Sequence, residues 1–341
     1  MTQEAIHFAT IAAGGGHVAT ARAMMEAVER QAPGAFRLSM SDLMLELGLT
    51  DQDRRHKASW RWMLARPWTA RLGQHALDAL PRLTVAAQRH MLDETARRAS
   101  RRFAAERPAL IVANHPWLTV ALTRSRRRYG LKTPVLTFAT EPLDASALWA
   151  EGQAEHFVVP SAAAMNDLER MGVSPAKIDV VGYPVAQRFL NPLEQRAARR
   201  ELGLAARFTL LLSLGGEGVA GDAGATVRGL LAALPEAQIV VMTGRNESLR
   251  ARLRELADPP RLHAVGFTDR VADYLSAADV VAGKAGPASV FEALAVGRPV
   301  LVTSYAGLNE REIVRFLERK GLGAYLPRLG ALARRVRELE D

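Results

Sequence analysis

Cysteine is absent from the chain. That excludes disulfides, thiolate zinc sites, iron–sulfur clusters and cysteine nucleophiles, and it suits a reducing compartment. No window approaches the ~18 uninterrupted apolar residues that a bilayer span needs. The opening MTQEAIHFATIAAGGGH lacks a basic segment ahead of an apolar one, which argues against a secretory signal. Low-complexity segments and sequence repeats are also missing. What is present is ordinary for a folded chain: 48% apolar and 24% charged residues over 341 positions. That length predicts two domains or one large α/β domain, and the composition excludes a disordered or fibrous protein.

Charge is unevenly placed. The whole chain is net +9, yet residues 54–132 alone hold 18 Lys/Arg against 4 Asp/Glu. A local excess of this size attracts anionic partners: nucleic acid, an anionic membrane surface or a phosphorylated substrate. The same stretch carries Trp60, Trp62, Trp68 and Trp117. Tryptophan beside arginine is a membrane-interface composition. The plainer reading is a solvated basic helix face over a core containing tryptophan. Helix-turn-helix and RNP patterns are absent, and the aromatics do not interleave as a stacking platform, so no nucleic-acid partner is expected.

Hydrophobic patterning predicts strands over 6–13, 36–41, 110–113, 135–140 and 156–159, with helical segments between them. A second series is predicted over 208–214, 238–242, 262–265, 280–282 and 299–303. Such alternation implies parallel, doubly wound sheets, an α/β class. The break falls between Gly182 and Pro192, giving domains 1–183 and 184–325. In open parallel sheets, ligands sit beyond the carboxyl ends of the strands. The glycine turns at 14–16 and 215–218 lie at such ends and are expected to face a cleft.

Gly14-Gly15-Gly16-His17 joins a strand to a helix. Glycines permit close backbone approach, and helix-start amides hold anions. The spacing matches neither a dinucleotide fingerprint nor a P-loop. His17 stands at the mouth of this turn, where an imidazole can take a proton from a hydroxyl; the bland alternative is a capping or packing histidine. Lys284-Ala285-Gly286-Pro287-Ala288-Ser289 leads into a helix bearing Glu292. Proline in a first turn, with free amides at 288 and 289, makes an anion site. Glu292, one turn on, can accept both hydroxyls of a ribose; the bland alternative is an ordinary strand–helix turn. Arg245 follows a buried-type strand and can meet diphosphate charge, or be a surface arginine. Asp51-Gln52-Asp53 matches a divalent-metal pattern but follows no apolar strand, so no metal site is expected. G-x-S-x-G is absent, which leaves serine hydrolase chemistry unsupported.

Read together, these residues resemble a GT-B glycosyltransferase. More narrowly, the chain is similar to the monogalactosyldiacylglycerol synthase and processive diacylglycerol glucosyltransferase group of glycosyltransferase family 28. The resemblance rests on Gly14-Gly15-Gly16-His17, His115-Pro116, Val181-Gly182-Tyr183-Pro184-Val185 and a C-terminal set. That set is Thr243-Gly244-Arg245-Asn246, Gly266-Phe267, Lys284-Ala285-Gly286-Pro287, Glu292-Ala293-Leu294, Gly297-Arg298-Pro299 and Asn309-Glu310. The resemblance implies two Rossmann-like domains facing a central cleft. It implies a UDP-sugar donor as substrate, with no separate cofactor and no catalytic metal, and inversion at the anomeric carbon. Gly266 and Phe267 would hold uracil, Glu292 ribose, and Gly286, Pro287, Ala288 and Ser289 the diphosphate. Gly215 and Gly216 line the donor turn, with Lys284 or Arg245 on the leaving charge, and Asn309 and Glu310 contact the transferred sugar. Gly14, Gly15, Gly16, His115 and Trp149 fall on the acceptor side. A helix over 326–341 is expected to return to the first domain, as in relatives.

The acceptor side departs from the family pattern. Thr140-Glu141 stands where Thr-Asp is usual, and Ser146-Ala147 where His-Pro is. The expected base is therefore His17 or Glu141. The leading expectation is transfer of a hexose from a UDP-sugar to a membrane lipid such as diacylglycerol or a glycolipid. The enzyme would be cytoplasmic and held peripherally on the inner face of an anionic membrane. The rivals are a soluble acceptor (a secondary metabolite or cell-wall precursor) and a basic, non-enzymatic binding protein on the same fold. The identity of the sugar stays open among glucose, galactose and N-acetylglucosamine.

Overall fold

The computed structural model describes residues 3–12, 15–64, 67–214, 223–256 and 261–340. The chain forms two compact units, residues 1–186 with 306–312, and residues 187–305 with 313–341. In the first, β1 (Glu4–Thr10), β2 (Phe36–Asp42), β3 (Leu110–Ala113), β4 (Val135–Phe138), β5 (His156–Val159) and β6 (Ile178–Val180) form one sheet. Its order is β2-β1-β3-β4-β5-β6, with every pair parallel. In the second, β7 (Thr209–Ser213), β8 (Gln238–Gly244), β9 (Leu262–Gly266), β10 (Val280–Lys284), β11 (Val300–Ser304) and β12 (Gly323–Tyr325) do the same. The order there is β12-β11-β10-β7-β8-β9, again all parallel.

The strands form because both faces are covered. Phe8 and Ala9 of β1, Ile111 and Val112 of β3, and Val280 to Ala282 of β10 are all buried, so these segments read as continuous apolar runs. In each sheet the winding reverses once. The chain runs from β1 out to β2, then returns to lay β3 on the other flank of β1; β10 returns to β7 in the same way. The loops leaving the two central strands diverge there and open a crevice at their carboxyl ends. Contact at this reversal is close in the second unit. A Cβ added at Gly283 of β10 would stand 2.5 Å from the Ser213 carbonyl of β7.

Ten of the twelve strands fall where the patterning predicts them. β6 and β12 were not anticipated. Both are three-residue strands at sheet edges, too short to carry a period. The unit boundary lies three residues beyond the expected one. The C-terminal expectation is corrected: Leu332, Ala333 and Val336 of the helix Leu329–Glu340 are buried in the second unit's core with Val227, Leu230 and Ile239. The helix stays there because Gly229 leaves space for Leu329, whose Cδ2 lies 2.4 Å from where a Cβ would be. The segment that does pack with the first unit is 306–312.

Candidate active site

In the first unit, the reversal of the sheet brings the turn after β1 against the turn after β3. Gly15 is the N-cap of the helix Gly16–Gln31 and offers no side-chain cap. A Cβ at Gly15 or Gly16 would meet nothing within 4 Å, so self-packing does not require these glycines and space lies beside them. Gly14 lies outside the described residues, as do Gly215 and Gly216. His17 and Asn114 clasp each other. His17 Nδ1 lies 2.7 Å from the Asn114 carbonyl, and Asn114 Nδ2 donates to the His17 carbonyl at 2.6 Å. A carbonyl can only accept, so Nδ1 carries the proton and Nε2 presents its lone pair. Thr140 Oγ1 stands 3.2 Å from the same Nδ1. Burial, and then the neighbouring His56, lowers the His17 pKa to about 4, so the ring is neutral at physiological pH.

His115 was expected on the acceptor side. It is buried, its ring 4.7 Å from that of His17, and its Nδ1 accepts from the Trp117 amide as the N-cap of the helix Pro116–Tyr129. Its place is therefore behind His17, as a cap and a packing surface. The sequence reading missed His56, whose ring lies 5.4 Å from His115 and 3.9 Å from Trp117. Its Nε2 is buried without a hydrogen-bond partner. Only the fold brings 17, 56 and 115 together; no spacing signals it. Asp53, of the rejected metal pattern, pairs with Lys57 at 2.8 Å, while Asp51 is exposed beside Arg54.

Glu141 is held by the Ser146 amide at 2.8 Å and the Ser146 hydroxyl at 3.3 Å. Burial pushes its carboxyl up, and nearby Asp144 is also raised, by burial and then by Glu141. Trp149, expected to touch acceptor, is 1% exposed among Phe157, Val159 and Leu168, so it supports this loop from the core. Asn309 and Glu310 belong to the segment packed with the first unit. Leu308 N donates to Gln74 Oε1 at 3.0 Å, and Glu310 takes the Ala306 amide within its own turn.

In the second unit, β10 shifts register at Gly283/Lys284 and delivers the chain to Gly286, the N-cap of the helix Pro287–Ala295. No side chain caps this end, Pro287 occupies its first turn, and a Cβ at Gly286 would meet nothing within 4 Å. The amides of Ala288 and Ser289 therefore suit an anion. Glu292 lies further along the helix. Burial raises its pKa to about 7, while Arg188 pulls the other way. Gly244 takes φ +57 and Asn246 caps the helix Glu247–Glu255, its Oδ1 accepting from Leu249 N at 3.0 Å. This turn puts the Arg245 guanidinium 4.5 Å over the ring of Phe267, which is 65% exposed and follows Gly266 at the end of β9. Arg245 thus sits with the expected uracil residues. Arg298 donates to the Leu275 and Ser276 carbonyls, so Gly297-Arg298-Pro299 has a structural role.

Residues 215–314 match the glycosyltransferase family 28 C-terminal domain. Monogalactosyldiacylglycerol synthase of Spinacia oleracea is 27% identical over 251 residues, 71% of this chain and 48% of that protein. The processive diacylglycerol beta-glucosyltransferase of Staphylococcus epidermidis is 23% identical over 220 residues, 64% of this chain and 56% of its own. The chain spans about half the length of these relatives. Among solved structures, Anabaena HepE with UDP and glucose aligns at TM-score 0.54 and 14% identity, covering 98% of this chain and 89% of that one. Acinetobacter baumannii MurG aligns at TM-score 0.58 and 15% identity, covering 100% and 91%. The fold is the GT-B α/β fold, with two six-stranded parallel sheets.

Proposed function

We propose that this protein is a UDP-sugar-dependent hexosyltransferase that moves the sugar, with inversion, to a hydroxyl of a membrane lipid such as diacylglycerol or a glycolipid. The observation that carries the donor half is the uncapped end of the helix Pro287–Ala295, with Lys284 before it and Glu292 along it, inside a family 28 domain. The diphosphate lies on the amides of Ala288 and Ser289, and the ribose hydroxyls donate to Glu292. Phe267 and the backbone at Gly266 hold the uracil. Amides and Lys284 meet the charge that develops on UDP as it leaves, with Arg245 at the uracil end over Phe267, so the reaction needs no metal ion.

The first unit supplies acceptor contacts and the base. His17 suits that role because Nδ1 is committed to Asn114 and Nε2 holds its lone pair. Glu141 is the second candidate, since burial raises its proton affinity. The lipid acceptor is supported by the names of the relatives and by exposed apolar side chains on described residues between 62 and 83. There Trp62, Trp68, Leu72, Leu80 and Leu83 are all more than half exposed, with Arg82 also exposed. Among the described residues no helix is long and apolar enough to cross a membrane, and this surface would dock the protein peripherally on the cytoplasmic face.

Calorimetric titration with UDP, UDP-glucose, UDP-galactose and UDP-N-acetylglucosamine tests the donor half. Micromolar binding that Glu292→Ala abolishes supports it and selects the sugar. Absence of binding by every uridine nucleotide refutes it.

A further inference from the structure

A surface helix ordinarily turns an apolar stripe inward. The helix Pro67–Ala79 of the first unit does the reverse. Trp68, Leu72 and Leu77 are exposed, and among its described side chains only Thr69, Gln74 and Asp78 are partly buried. Gln74 and Asp78 stand one turn apart and so share a face. Gln74 takes the Leu308 amide, and Asp78 Oδ1 accepts from the Ala147 amide at 2.7 Å.

Ala147 is the last of three consecutive residues whose amides end on carboxylates. Ala145 N donates to Asp167 Oδ2 at 3.1 Å, Ser146 N to Glu141 and Ala147 N to Asp78. The three acids come from the helix Ala162–Arg170, from the loop itself and from the helix Pro67–Ala79. Gathering them is unfavourable. Burial raises the pKa of Asp78, Glu141 and Asp144, and a neighbouring acid of the group raises each further. A loop that needed only to close could satisfy these amides with water or local carbonyls. Local conflicts of this kind persist where function requires a fixed geometry.

The geometry fixed here is the approach to His17. Ser146 holds Glu141 through its amide at 2.8 Å and its hydroxyl at 3.3 Å. Glu141 follows Thr140, whose Oγ1 lies 3.2 Å from His17 Nδ1. We propose that Asp78 is a positioning residue for sugar transfer: by holding Ala147 it sets the loop 140–147 against His17. The inference rests on the transferase reading with His17 as its base.

Two variants test it. Asp78→Leu introduces a good helix former and removes the acceptor, whereas Asp78→Asn keeps an acceptor oxygen without the charge. Hydrogen exchange judges the clasp without turnover. The amide of Ala147 should exchange about tenfold or more faster in Asp78→Leu and close to the wild-type rate in Asp78→Asn. Unchanged exchange in Asp78→Leu overturns the proposal, whatever the catalytic result.

Kinetics with UDP-glucose or UDP-galactose and diacylglycerol judges the role. In Asp78→Leu, kcat for transfer should fall about 10–100-fold while KM for the UDP-sugar stays near wild type. The ratio of transfer to UDP-sugar hydrolysis should fall too, and Asp78→Asn should bring both back to within severalfold of wild type. That ratio is independent of how much of a sample is folded, so a purely structural loss does not move it. In a His17→Ala background, Asp78→Leu should cost little more, because the group it positions is gone. Faster exchange with an unchanged ratio, or an undiminished loss in the His17→Ala background, overturns the positioning role and leaves the transferase reading intact. Wild-type protein that turns over neither UDP-sugar refutes that reading, and this role with it.

Discussion

Replacing Glu292 by glutamine should weaken nucleoside binding and stabilise the empty protein, both only at higher pH. The side chain keeps its size and loses its ability to ionise. In the wild type, burial holds the carboxyl at about 7, above its ordinary 4.5. Ribose hydroxyls donate best to the ionised form. At pH 8 about nine-tenths of the group is ionised and at pH 6 about one-tenth, so wild-type affinity should fall about tenfold between them. Two hydrogen bonds to a charged acceptor are worth about 1.5–3 kcal/mol each, less what a neutral amide recovers. Glu292→Gln should therefore bind roughly 10–100-fold more weakly than wild type at pH 8, a gap that narrows about tenfold at pH 6. Uridine is the right probe, because UDP carries a phosphate that titrates in the same range.

Stability moves the other way. A carboxyl whose pKa is raised by folding binds its proton more tightly in the folded chain. Its penalty is absent below 4.5, grows as pH rises to about 7, and is constant above. The variant should melt a few degrees above wild type at pH 8 and level with it at pH 4.5. Because the fold gains while binding weakens, misfolding cannot explain the loss. Equal uridine affinity for the two proteins at pH 8, or the same pH slope in both, refutes the assignment of Glu292 to the ribose.

Further outcomes follow from the other sites. His17→Ala should cut turnover about 10²–10⁴-fold while leaving UDP affinity intact, measured by sugar transfer and calorimetry. With a pKa of about 4, His17 as base gives a rate that is flat through neutral pH, whereas Glu141, raised by burial, gives a rate that falls as pH drops towards the acid side of neutrality. Leu83→Asp with Trp68→Asp should reduce flotation on anionic vesicles; unchanged flotation would remove this surface from any membrane role. Arg89→Met leaves buried Glu151 without its counter-charge and should cost about 3–5 kcal/mol in denaturant unfolding at neutral pH.

The alternation of apolar strands with helical segments was sufficient to specify the class of fold, because strands buried on both faces are continuous apolar runs. The donor turn was legible for a related reason. Gly286, Pro287 and Glu292 lie within seven residues, so local backbone geometry alone makes the anion site. Longer-range groupings left no local trace. His56 joins His17 and His115 only because β3 is laid beside β1 and a helix from elsewhere covers them. Trp149 was expected against the acceptor, yet packing turned it inward to support the Glu141 loop. The terminal helix, expected on the first unit, stays on the second because Gly229 makes room for Leu329. The excess of basic residues over 54–132 was plain from composition. Which of those arginines are neutralised depended on where Asp93 and Glu151 came to rest in the tertiary structure. Chain order sets spacing within an element, but the field at a site is a sum over elements that meet only on folding.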